Sequence, residues 1–394
     1  MRRGSIIPAI RALQPPPYYY DGIHLDFRYG AGALGCYVKA AGAAPTIAPL
    51  TTLFTFTGGN QSMYMGPAGL LVASVANTPR IEYDANGNCL GLLMEASRTN
   101  LALHSADGTN AAWTKSNTSV AKTATGPDGA ANSATTVTAS AGNGTILQTV
   151  TSASAQRTFS IWLKRRTGTG NVDMTVDGGT GWTTKTITTS WARYSITQSA
   201  VTNPNFGLRL VTSGDEVDFY GAQLESAAFM SSTIPTTTGS VARTADVCSR
   251  ALGSEFSATA GTVHVHGRAS NGQDSGANSV WSFDSGAATD RINLVRAGST
   301  DTARWLVSVA SASQASLDQT FVNSTNFRAA CAWTANDFAY TFNAGGVLTD
   351  GAGSLPTVTT LYLGGLAGAF QMNGHIQMFE YRPTRLPNGY LTSA

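Results

Sequence analysis

The rhythm of the stretch from Phe159 to Leu224 constrains this chain most. Phe159-Ser160-Ile161-Trp162-Leu163-Lys164, Val172-Asp173-Met174-Thr175-Val176, Trp191-Ala192-Arg193-Tyr194-Ser195-Ile196 and Phe206-Gly207-Leu208-Arg209-Leu210 each alternate apolar with polar residues, and Val217-Asp218-Phe219-Tyr220-Gly221-Ala222-Gln223-Leu224 closes the series. A period of two turns one face of a strand to a core and the other to water. The runs are short, Gly, Asn and Ser turns separate them, and no helical period intervenes. That pattern predicts a β-sandwich or jelly roll over residues 98–247.

The same texture resumes over 248–394, after a Thr- and Ser-rich joint at Pro235-Thr236-Thr237-Thr238-Gly239-Ser240. Candidate strands there include Thr262–Gly267, Val280–Phe283, Arg291–Val295, Ala303–Val307, Arg328–Trp333, Phe338–Asn343, Thr360–Gly364 and Gly374–Tyr381. Residues 21–97 hold shorter runs, such as Ile23-His24-Leu25-Asp26-Phe27 and Arg80-Ile81-Glu82-Tyr83, and a hairpin signal at Asn86-Gly87. The expectation is an all-β protein of two consecutive sandwiches, with a boundary between about 235 and 255. An extended arm (1–20) and a small β-rich attachment and linker region (21–97) precede them. No heptads and no tandem repeat are visible.

Composition agrees. Charged residues make up only 12% of the chain, about half the ~25% of an ordinary soluble domain, so Ser, Thr, Asn, Gln and Gly must cover the surface. Those residues suit strands and turns better than helices. A net charge of +2 gives no reason to expect nucleic acid or an anionic membrane as partner. Cys36, Cys89, Cys248 and Cys331 are far apart, without a C-x-x-C pair or a nearby histidine. That spacing argues against zinc and points to four free, mostly buried thiols. The apolar run Ser5-Ile6-Ile7-Pro8-Ala9-Ile10 is too short and proline-broken for a secretory signal, and no stretch approaches the ~20 apolar residues of a membrane span.

The first twenty residues read as an arm. Pro15-Pro16-Pro17 favours polyproline II or edge-strand geometry, and Tyr18-Tyr19-Tyr20 supplies broad apolar faces with polar tips. With Arg2 and Arg3, these tyrosines are candidates for anchoring the chain to a partner. The other reading is a strand that pads the first domain.

Three segments carry a family resemblance. Asn77-Thr78-Pro79-Arg80-Ile81-Glu82-Tyr83-Asp84, followed by Gly91-Leu92-Leu93-Met94-Glu95-Ala96-Ser97-Arg98-Thr99-Asn100-Leu101, is similar to a linker that recurs in tail, baseplate and head-fibre proteins of tailed bacteriophages. Asn110-Ala111-Ala112-Trp113-Thr114-Lys115, with Gly221-Ala222-Gln223-Leu224-Glu225 and Ser232-Thr233-Ile234-Pro235-Thr236, resembles the carbohydrate-binding-module-like jelly roll that follows that linker. Residues 255–394 resemble a concanavalin-A-like, laminin-G-type sandwich, on Ala332–Phe338, Leu361–Gly365 and Asn373–Ile376. In the linker itself, Pro79 forces an extended approach, Ile81 and Tyr83 share a face, and Glu95, Arg98 and Asn100 are placed to tie the domains together by charge-assisted hydrogen bonds. The resemblance implies a virion structural protein of fibre, spike or decoration type. It would attach through its N-terminal region to other capsid, tail or baseplate proteins, and the family suggests a homotrimer. Such a protein is made in the host cytoplasm without a signal peptide and is displayed on the particle surface, where its sandwiches either bind host surface glycans or act as assembly and decoration modules. Laminin-G-like domains often hold Ca2+, for which Asp284, Asp290, Asp337 and Asp350 are the loop acids, though they form no ligand string.

Enzyme chemistry finds little footing. Glycoside hydrolysis needs two carboxylates flanking the bond. The nearest set, Asp215-Glu216-Val217-Asp218, puts Glu216 and Asp218 on one face but reads as an edge or loop. No G-x-S-x-G elbow is present. His264 and His266 share a face without a third ligand, and the resemblance implies that His375 sits in a structural strand with no catalytic role. Sugar binding needs exposed aromatic faces with polar neighbours. Trp113, Trp182 and Trp305, each near polar, Gly- or Arg-rich sequence, are the stacking candidates, whereas Trp162, Trp191, Trp281 and Trp333 are expected in the core. A non-enzymatic virion protein is therefore the leading expectation. The alternatives are a glycan-active enzyme, disfavoured by the missing carboxylate pair, and a bacterial surface lectin, disfavoured by the missing signal peptide.

Overall fold

A computed structural model describes residues 20–28, 36–269, 277–297, 301–321, 325–343 and 345–392. Their regular structure is almost all strand, with two one-turn helices at Leu50–Leu53 and Asn388–Leu391. The all-β sandwich architecture is as expected, and no described helix is long and apolar enough to cross a membrane.

The jelly roll consists of two five-stranded antiparallel sheets. One orders Thr114–Ser116, Gly144–Thr149, Asn205–Leu210, Val172–Thr175 and Thr183–Lys185; the other orders Thr118–Ala124, Ala134–Ala139, Glu216–Glu225, Ala155–Thr167 and Ala192–Val201. Phe159, Ile161, Leu163, Phe206, Leu208, Phe219 and Leu224 fill the space between them. The alternation read from the sequence is thus the inward and outward division of each strand.

The second sandwich departs from expectation. Its larger sheet runs Leu348–Asp350, Asp337–Phe342, Asn326–Thr334, Ala260–Ala269, Gly374–Arg382, Gly22–Asp26, Tyr37–Lys39 and Thr46–Ile47. Cys89–Met94 also pairs with Gly374–Arg382 and carries Arg80–Tyr83 on its far side. The facing seven-stranded sheet ends on Val247–Ala251 and Thr55–Thr57. Most strands of 21–97 therefore form no separate unit; they complete both sheets of the C-terminal sandwich, while Met63–Met65 and Leu71–Ala73 pair with each other in a two-stranded sheet against the jelly roll. Trp281, Trp305 and Trp333 form its centre, with ring centroids 6.4 Å (Trp281–Trp333) and 6.3 Å (Trp305–Trp333) apart. Burial of such large rings supplies most of the apolar area a core needs.

The jelly roll is an insert in this sandwich. The chain enters it through Arg98–Asn100 and leaves through Val241–Arg243, and these two strands pair side by side in a neck. Asn100, fully buried, holds the neck to the insert. Its Nδ2 donates to the Ala222 and Ile234 carbonyls (3.0 and 2.8 Å), and its Oδ1 accepts from the Ala102 and Leu224 amides.

Beside the neck lies a buried four-charge cluster. Arg80 Nη1 donates to Glu95 Oε2 (2.8 Å), Arg80 Nη2 bonds Asp246, and Arg243 lies 3.7 Å from Glu95 and 4.0 Å from Asp246. The Ser232 amide and hydroxyl, from the insert, donate to Glu95 at 2.8 and 2.6 Å. Burial works to raise the Glu95 carboxyl, but Arg243, Arg80 and Ser232 outweigh it and hold the group well below the usual carboxylate range. The expected partner of Glu95, Arg98, instead lies half-exposed over the Phe229 ring. Arg98 sits on the neck strand, whereas Arg80 reaches Glu95 from the neighbouring strand of the same hairpin, a pairing that sequence distance hides.

Candidate functional site

The jelly-roll sheet that ends on Ala192–Val201 turns its outer face toward the second sandwich. Trp162 pairs with Arg193, Ser160 with Ser195, and Thr158 with Thr197 across the two strands. In an antiparallel pair, opposite residues share a face. Because Phe159, Ile161 and Leu163 are the core residues, Trp162 must point outward. Residues 228–232 pass along the same face, and the facing wall comes from Glu82, Leu90, Leu93, Arg268, Ala269 and Asn373–His375. The two walls enclose a cleft of about 520 Å³. It continues, through the shared residues Glu82, Leu90, Trp162, Arg193 and Ser232, into a second lobe of about 360 Å³ that Trp191 also lines. This is the size range of small-molecule sites.

The polar fittings are fixed. Trp162 Nε1 donates to Thr233 Oγ1 (2.9 Å), which sets the indole plane. His375 Nε2 and Glu82 Oε2 share a hydrogen bond of 2.7 Å. Arg193 donates from Nη1 to the Ser231 carbonyl (2.5 Å) and from Nη2 to Ser160 Oγ (2.9 Å), both neutral acceptors, while its Nε finds no protein partner. Lys164 Nζ lies 5.1 Å from the Trp191 ring centre. The cleft thus offers half-buried indoles, two arginines and a set of hydroxyls, the mixture that apolar sugar faces and sugar hydroxyls require.

Of the sequence candidates, Trp113 (2% exposed) and Trp305 (0%) are core residues and can stack on no ligand. Trp182 is half-buried on the opposite sheet, away from the cleft, with the Arg209 guanidinium 4.4 Å from its ring centre and Arg209 ion-paired to Asp173. Trp162 and Trp191, assigned to the core, are the tryptophans that line the cleft; Trp281 and Trp333 are buried as expected. Arg2, Arg3, Tyr18 and Tyr19 lie outside the described residues. Tyr20 is described: it is exposed, and the Arg382 guanidinium stacks 3.7 Å from its ring centre.

Glu216 and Asp218 begin a strand at the middle of its sheet, not an edge or loop. Asp218 accepts from Thr136 (2.6 Å) with Lys164 and Arg166 at 3.3 and 3.4 Å, and Asp215 is paired with Arg165 at 3.1 Å. None of the three acids lines the cleft. His264 is buried and stacked on Tyr390. Asp284 and Asp350 accept nearby backbone amides, Asp290 accepts the Ala310 amide, and Asp337 is paired with Arg385. No group of three or more metal-ligating side chains occurs among the described residues. Cys36, Cys248 and Cys331 are buried, Cys89 half-buried, and all four are free thiols.

No family model and no curated protein matches the chain. Among solved structures it is similar to the CBM40 module of the Ruminococcus gnavus IT-sialidase bound to α2,3-sialyllactose (TM-score 0.31, 14% identity, 35% of this chain and 83% of that chain). It is also similar to the NanB sialidase of Streptococcus pneumoniae (0.31, 8%, 36% and 24%). A third likeness is to a structure of botulinum neurotoxin type C, whose cell entry depends on two ganglioside molecules (0.30, 8%, 38% and 39%). Each spans little more than a third of the chain at a score and identity that carry no argument about function.

Proposed function

We propose that this chain is a non-enzymatic glycan-binding protein displayed on the particle of a tailed bacteriophage, and that the cleft between its two sandwiches is the glycan site. The observation that carries the binding reading is the cleft itself: half-buried indoles, arginines and hydroxyls brought together between two β-sandwiches. The virion assignment is supported by the linker residues Asn77–Asp84 and Gly91–Leu101, which resemble phage fibre linkers. Binding without cleavage is supported by the state of the carboxylates. A glycosidase needs an acid whose pKa is raised. In the cleft, Glu95 is held low by Arg243 and Arg80, and Glu82 is engaged by His375.

The test is calorimetric titration with a panel of bacterial-surface and host oligosaccharides. Binding should be measurable and should weaken about tenfold or more in Trp162→Ala, the equivalent of one lost aromatic contact of ~1.4 kcal/mol, while the melt stays cooperative. Release of reducing ends on prolonged incubation would overturn the non-enzymatic part. Absence of the chain from purified particles would overturn the virion part. The arm reading has its own test: a chain lacking residues 1–20 should melt unchanged yet fail to enter particles, and normal incorporation would move the attachment role elsewhere.

A further inference from the structure

Most charges around the cleft are already matched. The four-charge cluster beside the neck contains two arginines and two carboxylates, and so is neutral as a unit. Glu82 is hydrogen-bonded to His375. Two cations remain. Arg268, half-buried on Ala260–Ala269 and paired in register with His375, makes no side-chain ion pair or hydrogen bond among the described residues. Arg193, on the opposite wall, touches only neutral oxygens and keeps an Nε–H without a partner; Glu225, Glu95 and Glu82 act on it only at longer range. Buried Glu225, together with Glu82, thus offsets Arg193, and Arg268 is left as the guanidinium that lines the cleft with no partner for its side chain among the described residues. Burying a guanidinium without a counter-ion is costly unless something else supplies one.

Resting on the glycan-binding reading above, we infer that the cleft selects acidic sugars, with Arg193 and Arg268 receiving a carboxylate while Trp162 takes an apolar ring face. A guanidinium is the group that best matches a planar carboxylate, since its N–H donors form a fork. The Ser195 and Thr197 side chains then face the sugar hydroxyls, as neutral donors and acceptors should. The shared chemistry is a sugar carboxylate; a sialic acid and a hexuronic acid both present one.

The full chain is titrated with four probes: a sialylated oligosaccharide, a hexuronic acid oligosaccharide, and the carboxyl-reduced neutral form of each. At least one acidic probe should bind about tenfold or more tighter than its reduced counterpart, the equivalent of one charge-assisted hydrogen bond, and the difference should shrink with added salt. Arg268→Gln should remove that preference, whereas Arg268→Lys should keep part of it. Equal binding of acidic and reduced probes, or full preference in Arg268→Gln, would overturn this inference and leave the glycan site standing. Binding of no probe at all would overturn both.

Discussion

Replacing Glu95 by Gln should destabilise the protein more than any change on its surface. The substitution keeps the shape of the side chain and an acceptor for Ser232, but removes one negative charge from the cluster. Two guanidiniums then face Asp246 alone, at a place where Arg80, Arg243 and Asp246 are 1%, 0% and 1% exposed. Breaking one partner out of a buried ionic group costs about 3–5 kcal/mol, because the remaining charge is stranded away from water. If the sandwich that holds the cluster melts as a unit of ordinary size, each kcal/mol shifts Tm by about 2–4 °C, so the expected fall is roughly 6–20 °C. Asp318→Asn is the control. Arg304 grips Asp318 with two 2.7 Å hydrogen bonds, but the pair is 40% and 42% exposed, and surface pairs of this kind contribute ~0–1 kcal/mol. Calorimetry at neutral pH compares the two. The pH dependence adds a second check. Glu95 has a folded pKa depressed below its ordinary 4.5, so its contribution is present above that value and is lost as pH falls through the folded one. The gap between wild type and Glu95→Gln should therefore narrow below about pH 4.5. A loss no larger than that of Asp318→Asn, or a gap constant down to acid pH, would refute the role given to the cluster.

Three further outcomes are expected. Burial lowers His264 to about 4, with Glu380 and Arg382 also facing it, and lowers His266 to about 4 with Arg328 and Arg28 adding to the effect. Both are depressed from 6.5, so their stability is complete above pH 6.5 and is lost as pH falls toward 4. His264 alone should account for about 3 kcal/mol, and urea titrations of His264→Phe across that window should show a flatter profile. Trp305→Ala should cost about 3–5 kcal/mol through the cavity it leaves, with no change in glycan affinity at temperatures where the variant is folded. Gly91 has φ +116°, and an added Cβ would meet the Ile376 carbonyl at 2.4 Å, so Gly91→Ala should lower Tm clearly; Gly239→Ala, with open space around it, should not.

The strands were legible because each is a local pattern: Phe159, Ile161 and Leu163 announce an inner face within one run. The same rule would have placed the tryptophans correctly. Arg304 beside Trp305 signals alternation, not exposure, since neighbours in a strand point to opposite faces; Ala303, Trp305 and Val307 are all buried. By that logic Trp162, set between Ile161 and Leu163, belongs outside. What local pattern cannot carry is which strands meet. The partnership of Ile23 with Tyr381, or of Arg80 with Asp246, depends on closure over most of the chain, and no periodicity encodes it. The cleft was hidden for the same reason, because its two walls come from segments far apart in sequence.

The neck also sets a timetable for synthesis. Both sheets of the jelly roll and the core between them lie within residues 98–247, so the insert can fold while the ribosome is still working. Gly22–Asp26 has no such freedom: its partner, Gly374–Arg382, is made about 350 residues later. At ~5–20 residues per second the early strand waits on the order of 20–70 s with its pairing edge open. Once Val241–Arg243 has been made, the folded insert holds it against Arg98–Asn100 for the rest of that interval. It thereby shortens the loop that the late strand must close, from several hundred free residues to the lengths on either side of a single fixed point.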